Sequence, residues 1–242
     1  RWHALADLYR RQIDDIEDTK READRKSKLA ELLEMRFDDV AGAIETYGAV
    51  LEATPGHRGA LRGLEGLRRD LSRQTGQRRA ERLRVISHLT DHYKPADDWR
   101  RLVSLEREKS QLVDDVRRNA EMLVRQAELF DTYGADDVER GMAVGRLAEA
   151  VGLTPEDDDL RRRLSALADD LDAWHRVPAA LLGALAKTDE TQQRAILLEL
   201  VGDVYRRKLG DDESAATAYR SSLHTHDRTS VRDALRELEA SV

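Results

Sequence analysis

The chain repeats itself. Shifted by 172 residues and without a gap, Trp2-His3 falls on Trp174-His175, Leu29 and Leu32 on Val201 and Val204, and Phe37 on Leu209. The match runs on through Asp39 and Asp211, Ala43 and Ala215, Tyr47 and Tyr219, and Leu51 and Leu223. A third copy lies between them, from Trp99 through Leu129-Phe130, Ala143, Leu147, Val151 and Pro155, with about three residues inserted before its second helix. Units repeated on this scale bury their apolar faces against their neighbours, so the expected object is a solenoid stacked along one direction. The copies span roughly 1–73, 97–171 and 174–242, with 74–96 as an extra segment, and together read as one array over residues 1–242.

Within each copy the apolar spacing is helical. Ala43, Tyr47, Val50 and Leu51 follow Asp38-Asp39, and Pro55-Gly56 closes the stretch. Asp at the start caps free backbone N–H groups and complements the positive end of the helix dipole. The pattern predicts about thirteen antiparallel helices joined by short connections: 2–16, 18–36, 39–53, 57–72, 77–92, 97–111, 114–132, 136–152, 156–171, 174–186, 189–208, 211–225 and 228–240. No strand pattern is present. Pro55 precedes Trp99 by 44 residues, whereas Pro155 precedes Trp174 by 19. The difference is one added helix or a lengthened pair, with the break expected at Gln74-Thr75-Gly76.

The helix pairs resemble tetratricopeptide repeats. The resemblance is carried by Ala43-Ile44, Tyr47, Leu51 and Pro55, by Ala215, Tyr219 and Leu223, by the Asp-rich turns at Asp38-Asp39 and Gly210-Asp211, and by Tyr93 with Asp98-Trp99. It implies an all-α, α-α superhelix whose first helices line a concave face that receives a peptide or protein segment. Glu31 and Asp203 stand where that family places a glycine, and the large apolar residues Leu33 and Tyr205 come one place early.

Composition narrows the chemistry. Aromatic residues are only 5% of the chain, so Leu and Ala must carry the packing, as stacked helices allow. With no Cys there are no disulfides, thiol nucleophiles or thiolate metal sites. No apolar run reaches the ~18 residues of a membrane span, and Arg1-Trp2-His3-Ala4-Leu5 is not a signal peptide, which favours a cytoplasmic location. Because Trp2 already belongs to a repeat, the sequence reads as part of a longer protein or of a complex.

Several constellations invite a chemical reading that packing explains better. Gly59, Gly63 and Gly66 on one helix, and Gly141 and Gly145 on another, each cost about 1 kcal/mol relative to Ala, and close helix approach is the expected compensation. They follow no strand, so a phosphate loop does not fit. His88-Leu89-Thr90-Asp91-His92 resembles an inverted zinc-protease motif, but Asp is a methylene shorter than the Glu that chemistry uses and no third ligand follows. Trp2, Trp99 and Trp174 occupy equivalent places and read as packing at repeat junctions, and Tyr47 and Tyr219 as fillers between helices. Paired acids such as Asp114-Asp115 and Asp157-Asp158-Asp159 read as helix ends. No nucleophile motif is present, and the expectation is a non-catalytic chain with no cofactor and no metal.

Two sets of basic residues are the candidates for partner binding. Residues 57–84 hold nine Arg against three acids, a local balance of +6 on a chain whose net charge is −7. Arg68, Arg69, Arg78 and Arg79 there can make forked contacts to carboxylates or phosphates. Apart from His57 the segment has no aromatic residue, which argues against nucleic acid and for an acidic protein or peptide. The second set is Arg21 with Arg118 and Lys28 with Arg125, at matching positions on first helices, replaced by Gln193 and Leu200 in the last copy. The function expected is an interaction scaffold or adaptor; the alternatives are a nucleic-acid-binding accessory protein using residues 57–84 and a self-assembling structural subunit.

Overall fold

The computed structural model describes residues 1–74 and 78–240; Thr75 and Gly76 of the expected break lie outside them. Among the described residues there are thirteen α-helices and no strand, as the periodicity predicts. The chain divides into two compact units, Arg1–Leu112 and Val113–Val242. The first holds α1 (Trp2–Asp14), α2 (Thr19–Phe37), α3 (Val40–Ala53), α4 (Arg58–Ser72), α5 (Arg79–His92) and α6 (Pro95–Ser110). The second holds α7 (Val116–Tyr133), α8 (Asp137–Leu153), α9 (Asp158–Asp170), α10 (Val177–Leu185), α11 (Thr191–Val204), α12 (Asp212–Thr225) and α13 (Thr229–Ala240). A 3-10 turn at Trp174–Arg176 leads into α10, whose first turn carries Pro178, and a π-helical turn at Tyr205–Leu209 extends α11.

The 172-residue repeat is a repeat of interactions as well as of residue types. Asp39 caps α3 by accepting from the Gly42 N–H, and Asp211 caps α12 by accepting from the Ser214 N–H. Ahead of each cap the backbone turns left-handed, at Asp38 (φ 52°) and Gly210 (φ 66°). The next N–H then returns to the preceding helix, Asp39 to the Leu33 carbonyl at 3.0 Å and Asp211 to that of Tyr205 at 2.9 Å. Even the tryptophans are covered alike: Arg36 lies over Trp2 at 4.4 Å and Lys208 over Trp174 at 4.6 Å.

The middle copy departs from the sequence reading in one respect. Asp136 caps α8 just as Asp39 caps α3, so the copies are still in step there. The three extra residues therefore lie inside the second helix, which has 17 residues in α8 against 14 in α3. The longer insertion after Pro55 is one added helix, α5, whose Val85, Ile86 and Leu89 are fully buried.

Small residues set the packing. Tyr47 and Tyr219 are both buried, but each ring rests on a different helix. A Cβ at Gly63 of α4 would fall 2.2 Å from the Tyr47 ring, whereas one at Gly202 of α11 would fall 2.5 Å from the Tyr219 ring. The repeat places buried Ala30 where Gly202 stands, and Leu235 where Gly63 stands. The gap that admits the ring thus moves from the helix before the tyrosine to the helix after it. Gly59 likewise makes room for the Ser27 hydroxyl, and Gly48 for the His88 ring, which gives the first histidine of that motif a packing role. Gly66 and Gly145 meet nothing within 4 Å, so close approach does not explain them.

The second unit is held by an aliphatic core in which Val144, Leu147, Val151, Val177, Leu181 and Leu197 are at most 3% exposed. Each such side chain contributes about 1.5–3 kcal/mol on burial. Among the described residues no helix is long and apolar enough to cross a membrane.

Candidate functional site

Ala60, Leu64, Leu67 and Leu71 of α4 are buried, which fixes the orientation of that helix. At 100° per residue, Arg58, Arg62, Glu65 and Arg69 then form a stripe on the opposite side. They line an open cleft of about 760 Å³ between α4 and α6, together with Arg68, Arg101 and an apolar floor that includes Leu61, Leu105 and Tyr93. Five arginines and one carboxylate make it strongly basic.

That carboxylate is already engaged. Glu65 accepts from Arg68 Nε at 2.9 Å and from the Tyr93 hydroxyl at 2.8 Å. Arg68 reaches on to Glu108 at 2.8 Å, and Glu108 to Arg82 at 3.3 Å. Burial, reinforced by the bond to Glu65, pushes the Tyr93 phenol up to about 12. Burial alone would weaken the charge on Arg68, but its bonds to Glu108 and Glu65 hold its pKa above the ordinary value. The charge-assisted chain braces α4, α5 and α6.

The Arg-rich segment therefore splits in two. Its anchored members find acids or carbonyls, several of them on other helices: Arg78 with Asp38, Arg84 with Glu45, Arg82 with Glu108, Arg73 with Asp70, and Arg79 on the Leu112 carbonyl at 2.7 Å. Arg58, Arg62 and Arg69 meet no carboxylate among the described residues. Arg62 and Arg69 only rest Nε on carbonyls of their own helix, at 3.3 Å each. Of the four arginines singled out in this segment from sequence, Arg69 lies in this free stripe and Arg68 in the bracing chain beneath it. Arg78 and Arg79 line neither wall of the cleft. Arg58 and Arg62 were not singled out, although their spacing with Arg69, i, i+4 and i+11, was the available signal.

A second cleft, of about 740 Å³, lies between α7 and α9. Arg117, Arg125 and Arg163 line it, interspersed with Glu121, Glu128 and Glu156, so its charge is mixed. Arg163 pairs with Glu128 at 2.8 Å. Arg118 is exposed one residue from Arg117, its backbone N–H capped by Asp115 as that of Arg21 is capped by Asp18, both at 2.8 Å. Lys28 is exposed on α2. In the last copy Gln193 ties a loop, accepting from Thr188 and donating to the Leu153 carbonyl, and Leu200 packs on the core.

His92 Nδ1 donates to the His88 carbonyl at 2.7 Å, and no metal-binding group of three or more side chains occurs among the described residues. The Trp174 indole donates to Asp169 at 2.7 Å, and Lys208 bonds the same carboxyl. These two partners hold Asp169 below the usual carboxylate range. No protein-family model and no curated protein matches the chain.

Proposed function

We propose that the chain is a non-catalytic interaction scaffold, a divergent tetratricopeptide-like superhelix that presents clefts between alternate helices to a protein segment. The observation that carries this reading is the α4–α6 cleft, where three exposed guanidinium groups stand over an apolar floor without an acid to neutralise them. Guanidinium forks held this way suit recognition of carboxylates. The mixed α7–α9 cleft supports the reading in a second place, because alternating charges select register more than they add affinity. Repetition of caps, left-handed turns and covered tryptophans between copies 1–73 and 174–242, with the cap shared by 97–171, supports a single array.

Site-specific photo-crosslinking tests it. Photoreactive residues at Leu61 and Val124, one in each cleft, are expected to label a partner segment that controls at Leu8 and Met35, exposed outside the clefts, do not label. Ser104→Trp, which blocks the α4–α6 cleft, is expected to abolish labelling from Leu61. Equal labelling from all four positions would refute the assignment.

A further inference from the structure

We propose that the α4–α6 cleft selects an extended acidic segment of a partner protein, in which carboxylates alternate with apolar or small side chains, through Arg58, Arg62 and Arg69; this rests on the scaffold reading above. Along α4 the first two arginines are about 6 Å apart and the last two about 10 Å, at 1.5 Å per residue. Same-side residues of an extended chain recur about every 6.5–7 Å, so acids separated by one residue meet Arg58 and Arg62 in turn.

The floor decides between carboxylate and nucleic-acid ligands. Leu61, half-buried on α4, offers apolar surface between the arginines, which an intervening side chain can cover. A single-stranded nucleic acid would instead need an open aromatic face on which to stack. Tyr93 is only 8% exposed, Arg101 lies over its ring at 5.5 Å, and its hydroxyl is bound to Glu65. The one ring in the cleft is therefore already covered.

The test is fluorescence anisotropy with the whole chain and a labelled peptide of about ten residues in which Glu alternates with Leu or Ser. Binding is expected, weakening as salt is added. The triple variant Arg58→Glu, Arg62→Glu, Arg69→Glu should weaken it by about 10- to 100-fold, as three exposed ion pairs become repulsions. These residues meet no acid, so helical content should persist; the neutral Arg→Gln triple provides the same comparison if charge reversal impairs folding. Control reversals at Arg11 and Arg107 should have little effect. Unchanged binding by the folded triple variants, or equal binding of a peptide with Gln in place of Glu, would overturn the proposal. So would tighter binding of single-stranded oligothymidine, which points to nucleic acid. Dimerisation abolished by the triple variant would assign the cleft to a second copy and also overturn it. Failure of the peptide with crosslinking from Val124 intact defeats this inference alone; loss of both defeats the scaffold reading.

Discussion

Gly63 and Gly66 sit on the same helix three residues apart, and replacing each by Ala separates packing from helix propensity. Both substitutions gain the same intrinsic term, about 1 kcal/mol in favour of the helix. At Gly66 nothing lies within 4 Å of the new methyl, so Gly66→Ala should stabilise the protein by about 0.5–1 kcal/mol. At Gly63 the methyl would stand 2.2 Å from Tyr47 Cζ and 2.6 Å from Cε2, well inside contact distance. The ring has little room to yield, because Tyr47 is 3% exposed and its hydroxyl bonds Glu34. Overpacking of this kind costs about 1–3 kcal/mol, so Gly63→Ala should be net destabilising. The difference between the two variants cancels propensity and isolates the clash at about 1–3 kcal/mol. Urea unfolding followed by far-UV circular dichroism measures it as a shift of midpoint at constant slope. Equal midpoints for the two variants would refute the docking of Tyr47 on Gly63.

The left-handed Asp38 corresponds by repeat to Gly210, so Asp38→Gly should stabilise the α2–α3 turn by about 0.5–1 kcal/mol in the same unfolding assay, with only an exposed contact to Arg78 lost. Glu34 titrates above the usual carboxylate range because of burial first, and then Asp70 and Glu31. A folded pKa raised above the unfolded one makes the ionised group destabilising. Stability from this group therefore rises as pH falls through the raised pKa and levels off below the unfolded value. Glu34→Gln should remove that slope and stabilise at neutral pH by about 0.2–0.5 kcal/mol, the size of a like-charge pair on a helix, with urea midpoints across pH as the measure. A variant no more stable than the parent at neutral pH would count against it.

The contrast between the two tyrosines shows what was legible in the sequence and what was not. Helix periods, Asp caps and the copies themselves are local patterns, and nearly every predicted helix lies within two or three residues of its observed bounds. The choice of partner helix for a ring is not local. Tyr47 and Tyr219 look equivalent along the chain, and only the pairing of Ala30 with Gly63, against Gly202 with Leu235, shows that they point differently. Their phenols follow suit: Tyr47 bonds Glu34, and Tyr219 donates to Asp203 at 2.7 Å. The same limit governs the arginines. Counting charge finds the excess in residues 57–84, but Asp38, Glu45 and Glu108, which offset much of it, lie outside that window. What remains after they are subtracted is a stripe of three on the solvent side of α4. An element's charge therefore indicates a binding surface only after the acids on its neighbours have been assigned, and here that assignment moves the candidate site from Arg78 and Arg79 toward Arg58 and Arg62.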